Sequence, residues 1–273
     1  MPAEAVNLSS VKAMIVAALQ RASTATGSDF HYLLGTAMRE SSLRPQAQSS
    51  TSSAAGLFQF VEQTWLGVVK EFGAKHGLGS YAGAIGKGAD GRFRVDNAAD
   101  RQAILALRND PQISALMAGE YAQQTRTEMQ NTLGRDVCGG ELYAAHFLGP
   151  DAACRLIRMN DSTPNATAAS VFPQAAGANR NVFYRPDGAA KTVREVYDWA
   201  LNQPTVAAPP TAKEPATASV SHGTDYSSLL ASLWMPSSKG FFSSGEGSPF
   251  LLTPGVLDIL SSFSPVAKDR DDS

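Results

Sequence analysis

Two short segments on either side of a polar loop decide the interpretation of this chain: residues 37–42, Ala-Met-Arg-Glu-Ser-Ser, and residues 56–60, Gly-Leu-Phe-Gln-Phe. Apolar residues at helical spacing precede the first segment, so Glu40 falls in the last turn of a predicted helix. Pro45 then forbids further helix, and residues 49–53 are all Ser or Thr. The sequence therefore predicts a carboxylate at a helix end, a small polar loop, and a Gly-Leu-Phe-Gln segment that opens the next helix.

The order of these residues resembles the catalytic core of the SLT-type lytic transglycosylases of glycoside hydrolase family 23. The signature of that family reads Glu-Ser, a short spacer, a serine, and then Gly-Leu-Met-Gln. The resemblance implies a lysozyme-like domain in which Glu40 is catalytic, Ser49 contacts the acetamido group of the substrate, and Gln59 lines the same cleft. Gly56 would permit a close backbone approach of the glycan strand. The chain departs from the family in Phe58, which replaces Met, and in one extra residue within the Ser/Thr loop.

A second segment, residues 143–150, Tyr-Ala-Ala-His-Phe-Leu-Gly-Pro, resembles the family's Ala-Tyr-Asn-Ala-Gly motif, which supplies a tyrosine to the site. His146 and Phe147 stand at the positions of that tyrosine and asparagine. Two substitutes are open for the tyrosine's hydrogen bond to the catalytic glutamate: His146 itself, or Tyr143 from one turn earlier. Both are predicted substrate-binding residues. A weaker resemblance links Asn179-Arg180 to a later Thr-Arg motif of the family.

Cleavage of a glycosidic bond requires an acid that protonates the leaving oxygen, and ordinary glycosidases use a pair of carboxylates. The resemblance implies a single glutamate, which acts first as the acid and then as the base that activates the C6 hydroxyl of N-acetylmuramic acid. The substrate's N-acetyl group assists, and the product is a 1,6-anhydro sugar. Glu40 fits the acid role, because the negative end of a helix dipole and an apolar face both favour the neutral carboxyl. Arg39 and Arg44 are expected to point to solvent.

Three functions are open at this point. The first is the lytic transglycosylase. The second is a hydrolytic muramidase on the same fold, in which a second carboxylate activates water; its candidates by location are Glu62, Asp90, Asp96 and Glu120. The third is a non-catalytic peptidoglycan-binding or assembly-scaffold protein, suggested by the altered Tyr/Asn segment. No metal or other cofactor is predicted, since four His and two Cys show no close ligand pair and no phosphate-binding loop occurs.

Helical periodicity predicts a mostly α class, with a lysozyme-like helical catalytic domain at residues 1–203. No strand pattern appears, and the glycine-rich stretch 73–91 is predicted as a loop beside the cleft. The predicted helices lie between Ser9 and Gly27, from Asp29 through Glu40, at 57–72, at 97–108, from Asp110-Pro111 onward, and at 142–148, 152–159 and 192–201.

The composition changes after Pro204. Residues 204–220 are rich in Pro, Ala and Thr and predict an extended, flexible linker. The tail at 221–273 is rich in Ser and predicted to be largely disordered, but two segments, 226–234 and 254–263, have apolar residues at helical spacing. Such segments either dock into a groove of a partner protein or pack back on the catalytic domain. The expected partner is a protein of an envelope-spanning machine, such as a flagellum, pilus or secretion system.

Charge and hydropathy narrow the class of partner. The net charge of −2 gives no reason to expect a polyanionic partner, so nucleic acid is not predicted. No run approaches the roughly 18 apolar residues that predict a membrane span. The predicted partners are therefore the peptidoglycan glycan strands and the protein that the tail would recognise.

The sequence says less about the cellular compartment in which the protein acts. Residues 1–20 carry Glu4 where a secretory signal has a basic region, and Lys12 interrupts the apolar stretch, so no such signal is predicted. A protein acting on the cell wall would then be periplasmic or exported by a specialised apparatus or by lysis, or its native start lies elsewhere. Cys138 and Cys154 form a disulfide in an oxidising compartment or remain two reduced thiols; both alternatives are open.

Overall fold

The computed structural model describes residues 8–203, so the predicted linker at 204–220 and tail at 221–273 lie outside the described residues. The described part is mostly helical, as predicted, with twelve α-helices and one two-stranded antiparallel hairpin. In chain order the elements are α1 (Leu8–Thr26), α2 (Phe30–Ser41), α3 (Glu62–Phe72), α4 (Gly79–Ala84), β1 (Gly86–Lys87), β2 (Phe93–Arg94), α5 (Ala98–Ala106), α6 (Pro111–Leu133), α7 (Gly139–Leu148), α8 (Pro150–Ser162), α9 (Ala168–Val171), α10 (Pro173–Ala178), α11 (Arg180–Phe183) and α12 (Val193–Leu201). Two 3-10 turns, Gly73–His76 and Leu107–Asn109, follow α3 and α5.

The longest helices, α1 and α6, pack against each other. The apolar stripe of α1 supplies Ile15 and Leu19, both fully buried. Helix α6 begins where the Asp110 carboxylate accepts hydrogen bonds from backbone N–H groups of the first turn and Pro111 takes the first helical position. It ends at Gly134, whose φ of +69° stops a right-handed helix. Helix α6, held by its packing on α1, forms one wall of the cleft described below.

Helices α7, α8 and α12 pack together around a second part of the core. Thr192 caps α12, its hydroxyl accepting from the Glu195 N–H while the Glu195 carboxylate accepts from the Thr192 N–H. Cys138 is exposed, Cys154 is buried, and both are free thiols, which decides the alternative left open by the sequence. Buried apolar side chains of this cluster include Leu142, Leu148, Leu156, Phe183 and Val196.

The helix predicted from Leu57 begins five residues later, at Glu62, so that prediction was wrong. A β-bridge between Ala55 and Phe60 closes a tight turn, in which Gln59 has a φ of +48°. A non-glycine residue in the left-handed region cannot continue a right-handed helix. The Gly-Leu-Phe-Gln segment therefore forms a turn ahead of α3 rather than its first residues.

The glycine-rich stretch 73–91 is more ordered than the predicted loop. It contains a 3-10 turn, the short helix α4 and strand β1, which pairs with β2. The Asp90 carboxylate accepts two hydrogen bonds from the Arg94 guanidinium, at 2.9 and 2.6 Å, and so ties the hairpin together. Strands of two residues are too short to show alternating apolar and polar residues, so no strand could be predicted here.

Candidate active site

Glu40 lies in the last turn of α2, as predicted, and only 7% of its side chain is exposed. The helix begins at Asp29, whose carboxylate accepts from the Tyr32 N–H, and stops sharply just beyond Glu40. There Ser42 and Leu43 have φ values of +53° and +59°. Two consecutive non-glycine residues in this region cost roughly 1–2 kcal/mol each. Such strained backbone is common at functional sites, where the surrounding structure maintains it.

His146 is the side chain that approaches the Glu40 carboxyl. Its Nε2 atom lies 3.3 Å from Oε1 of Glu40, and 19% of the His146 side chain is exposed. Helix α7 carries this histidine, with the Tyr143 ring one turn earlier and 5.8 Å away between ring centroids. Of the two substitutes that the sequence left open for the family tyrosine, the structure brings His146 into contact with Glu40.

Tyr143 is 2% exposed and has a different partner. Its side chain hydrogen-bonds with Arg39, whose guanidinium carbon also lies 5.1 Å from the centre of the Tyr143 ring. Burial raises the pKa of Tyr143 above its usual range, and the charge of nearby Glu40 adds to this shift while Arg39 opposes it. Tyr143 therefore remains a neutral phenol beside Glu40 and acts on the site through Arg39.

Arg39 does not point to solvent, so that expectation was wrong. Its guanidinium packs between the rings of Tyr143 and Trp199, at 5.1 and 5.8 Å, and donates a hydrogen bond to Oε1 of Gln203. Trp199 lies on α12, far away in the sequence, and no local pattern indicates the contact. Arg44 is exposed, as expected, with its Nε donating to the Ser41 carbonyl at 3.0 Å.

A cleft of about 660 Å³, open solvent included, is lined in part by His146, the neighbour of the Glu40 carboxyl; Glu40 itself is not among the lining residues. Apolar side chains from α2, α6 and the turn before α3 form most of its wall, and hydroxyl groups interrupt them. Sequence reasoning missed these hydroxyls, although Tyr32 and Thr36 stand eight and four residues before Glu40 and so share its side of α2. The lining residues are Tyr32, Leu33, Thr36, Phe58, Gln59, Phe60, Val61, Thr64, Ala118, Tyr121, Ala122, Thr125 and His146.

The hydroxyl groups of both tyrosines that line the cleft stay neutral. Burial raises the pKa of Tyr32 above its usual range, and the charge of Glu40 is among the smaller causes that raise it. Burial also raises the pKa of Tyr121, with a smaller contribution from Glu128. These hydroxyl groups can therefore donate and accept hydrogen bonds over the whole working range of pH.

Gln59 lines the cleft as predicted, but its amide is engaged within the protein. The amide Nε2 donates to the carbonyl oxygens of Ala47, at 3.1 Å, and Gly56, at 3.0 Å. These bonds hold the turn that gives Gln59 its positive φ. Only the carbonyl end of the Gln59 amide is left to face a ligand.

Ser49 does not line the cleft; its hydroxyl organises the polar loop. The Oγ atom accepts from the backbone N–H groups of Thr51, at 3.2 Å, and Ser52, at 3.1 Å, as in a Ser/Thr turn. The Ser49 N–H donates to the Ala54 carbonyl at 3.0 Å. The oxygen is thus occupied as an acceptor, and it also lies within hydrogen-bond distance, 3.4 Å, of the Thr51 hydroxyl.

Gly56 approaches the protein itself rather than an open surface. Its φ is +82°, and a Cβ built on it would lie 2.0 Å from the Arg108 carbonyl oxygen. The Arg108 side chain reaches into the same loop, where its guanidinium donates to the carbonyls of Ser53, at 2.5 Å, and Phe60, at 2.9 Å. The close approach that only glycine allows is therefore to Arg108, a residue that sequence reasoning did not single out.

Three of the four candidates for a second carboxylate are committed to basic side chains. The Glu120 carboxylate is buried and lies 2.7 Å from both Lys75 Nζ and His76 Nε2. Glu62 pairs with Arg101 and Asp90 with Arg94, which lowers the pKa of Asp90 to about 2. The fourth, Asp96, is exposed on the surface.

Other sequence features lie away from the chemistry just described. Asn179 is buried and donates to the Ala175 carbonyl at 3.1 Å, while Arg180 packs 4.6 Å from the centre of the Tyr184 ring. Among residues 8–203 no group of three or more His, Cys, Asp or Glu side chains is arranged to hold a metal ion. Across the same range no helix is both long and apolar enough to cross a membrane.

Residues 17–80 match the model of the family described as "Transglycosylase SLT domain". The resemblance to the SLT-type lytic transglycosylases is thereby confirmed, and with it the mostly α, lysozyme-like fold class. The match indicates a peptidoglycan-acting function of the lytic transglycosylase type. Glu40, Ser49, Gly56 and Gln59 lie within the matched residues, and Tyr143 and His146 lie beyond them.

Proposed function

We propose that the protein is a peptidoglycan lytic transglycosylase, which cleaves the β-1,4 bond between N-acetylmuramic acid and N-acetylglucosamine and leaves a 1,6-anhydro end on the muramic acid. Glu40 is the catalytic residue in this proposal. The observation that carries it is a single shielded carboxyl beside the cleft, within the matched segment, whose neighbour is His146 rather than a second acid. The ion pairs of Glu62, Asp90 and Glu120 support a mechanism with one carboxylate.

The reaction balances with one proton carried by one group. Glu40 donates its proton to the glycosidic oxygen of the leaving N-acetylglucosamine as the bond to C1 of the muramic acid breaks. The substrate's N-acetyl group stabilises the cation at C1. The Glu40 carboxylate then takes the proton of the C6 hydroxyl while O6 bonds to C1, which restores the acid and consumes no water.

The surroundings of Glu40 suit a reaction from which water must be kept out. Water that reached C1 would compete with O6 and give a hydrolysed product. The Glu40 side chain is 7% exposed, and the cleft wall next to His146 is mainly apolar, with Phe58, Phe60 and Val61 on it. An apolar wall of this kind favours attack by the tethered hydroxyl over attack by solvent.

The test is a digestion of purified peptidoglycan in water enriched in ¹⁸O, followed by mass spectrometry of the products. The proposal expects anhydro ends that carry no ¹⁸O and are about 20 mass units lighter than ends hydrated by H₂¹⁸O. Hydrated ends containing ¹⁸O would overturn it in favour of a muramidase with a second carboxylate. Glycan binding without any cleavage would overturn it in favour of a peptidoglycan-binding scaffold.

We extend the proposal to the whole chain, with a catalytic domain at 1–203, a linker at 204–220 and a docking tail at 221–273. The protein would then open the wall locally for an envelope-spanning machine, in the periplasm or after export. A comparison of the full chain with a chain ending at Gln203 tests this division. Equal cleavage of isolated peptidoglycan by both chains supports it, and loss of cleavage in the shorter chain contradicts it.

A further inference from the structure

We infer that His146 is a positioning residue for the reaction: its Nε2–H holds Oε1 of Glu40 and leaves Oε2 as the oxygen that exchanges the catalytic proton. The inference rests on the proposed function and assigns a role within the same site. It goes beyond the resemblance, which places a tyrosine at this position.

The geometry singles out one oxygen of the carboxyl. His146 Nε2 lies 3.3 Å from Oε1 of Glu40, slightly beyond an ordinary hydrogen bond. Catalytic hydrogen bonds are often long before substrate binds and shorten in the complex. A donor fixed on Oε1 prevents rotation of the carboxyl from presenting either oxygen at random, so the proton on Oε2 faces the glycosidic oxygen.

Packing holds the imidazole at this place. The ring lies at an angle of 31° to the Tyr143 ring, with 5.8 Å between centroids, and Tyr143 is itself fixed by Arg39. His146 also lines the cleft, so it can respond to a bound glycan. A side chain that touches both the carboxyl and the cleft is suited to couple substrate binding to the orientation of Glu40.

The other titratable groups around the pair have different roles. On α2, Arg39 is held by Tyr143, Trp199 and Gln203, and burial keeps Tyr32 neutral. On α7, Tyr143 is bonded to Arg39. On α6, Tyr121 faces the same cleft as His146, and burial raises its pKa. The arginine therefore supplies positive charge, and the three phenols stay neutral.

A neutral imidazole with its proton on Nε2 can donate to Oε1 without adding charge, as the family's tyrosine would. Loss of this donor should therefore lower kcat more than it changes KM.

The experiment compares His146→Gln, His146→Phe and the control His31→Gln by kcat and KM for anhydro-product formation. Phe keeps the packing on Tyr143 but has no donor, so kcat should fall about tenfold or more with KM changed less than about threefold. Gln retains an N–H donor, so it should restore at least part of the kcat that Phe loses. His31 lies on α2 near Asp29, at 3.9 Å, and its replacement should leave both constants unchanged.

Each outcome has a distinct meaning. A wild-type protein that forms no anhydro product refutes the proposed function itself. An active wild type with a fully active His146→Phe variant, or with a His146→Gln variant no more active than His146→Phe, overturns the role of His146 alone. Thermal melting of each variant shows whether it is folded, and since Gln and Phe differ in polarity, at least one is expected to fold and report.

Discussion

The polar loop at 42–60 and the face of α7 at 143–146 both border the site, but they use their polar groups in opposite ways. In the loop, the Ser49 hydroxyl and the Gln59 amide bind backbone groups of the loop itself. On α7, the His146 imidazole lies against the Glu40 carboxyl instead. One region maintains its own strained backbone path, and the other places a side chain beside Glu40.

The family match coincides with the scaffold rather than with the contact to Glu40. Residues 17–80 include the whole loop, and α7 lies outside them. A braced backbone tolerates few residues at each place, so its sequence is easy to recognise. A side chain that only needs to place one donor near a carboxyl can be exchanged for another donor. Sequence similarity therefore identifies the loop well but says less about which residue lies against the Glu40 carboxyl.

The largest effect on stability is expected from Gly56→Ala, which tests how strictly the scaffold is built. The left-handed φ costs alanine roughly 1–2 kcal/mol, and the contact of 2.0 Å with the Arg108 carbonyl forces the backbone to move. We expect a total loss of about 2–5 kcal/mol in the free energy of unfolding, measured by urea denaturation.

Gly77→Ala is the matched control, because Gly77 has a φ of +80° but no atom within 4 Å of the added Cβ. It should cost only the backbone term, about 1–2 kcal/mol. Equal losses for the two variants would show that the contact with Arg108 is unimportant, and the description of the loop as a tightly braced scaffold would fail.

A smaller effect is expected from Arg108→Met, which removes the donors to Ser53 and Phe60 and keeps the apolar stem. We expect a loss of about 1–3 kcal/mol and faster hydrogen exchange of the amides at 49–60. Arg101→Met is the control, since its ion pair with Glu62 is half exposed and worth about 1 kcal/mol or less. Unchanged exchange in the loop of Arg108→Met would contradict the bracing role.

The smallest effect is expected from Ser49→Ala, which separates the two roles open to this serine. Loss of the Ser/Thr turn should cost about 0.5–1.5 kcal/mol of stability. If the hydroxyl serves the loop, kcat should fall less than in His146→Phe and KM should change by less than about threefold. A KM raised about tenfold in a fully stable variant would instead assign the predicted contact with the substrate to Ser49.

Local signals in the sequence predicted several of the helix boundaries. Side-chain caps at Asp29, Asn97, Asp110 and Thr192 lie where the helices begin, and Gly27 ends the first one. Each signal depends on residues within one turn of the boundary. The position of Glu40 at a helix end follows from the same local rules.

The failures of prediction come from contacts that are distant in the sequence. The helix at 57 does not form because Arg108, about fifty residues later, holds the turn before it. Arg39 turns inward because Trp199 on the last helix covers it. Tyr143 and His146 are three residues apart on α7 and share a face, so helical phase alone cannot choose between them; tertiary packing does.

The most direct test of the account is the rate of anhydro-product formation by Glu40→Gln, next to Glu71→Gln as a control with the same change at an exposed site on α3. Gln keeps the shape of the side chain but cannot donate or take up the catalytic proton. We predict that Glu40→Gln lowers this rate about 10²–10⁴-fold and retains glycan binding, while Glu71→Gln keeps a rate within about threefold of wild type. A Glu40→Gln variant that still forms anhydro ends at the wild-type rate would contradict it.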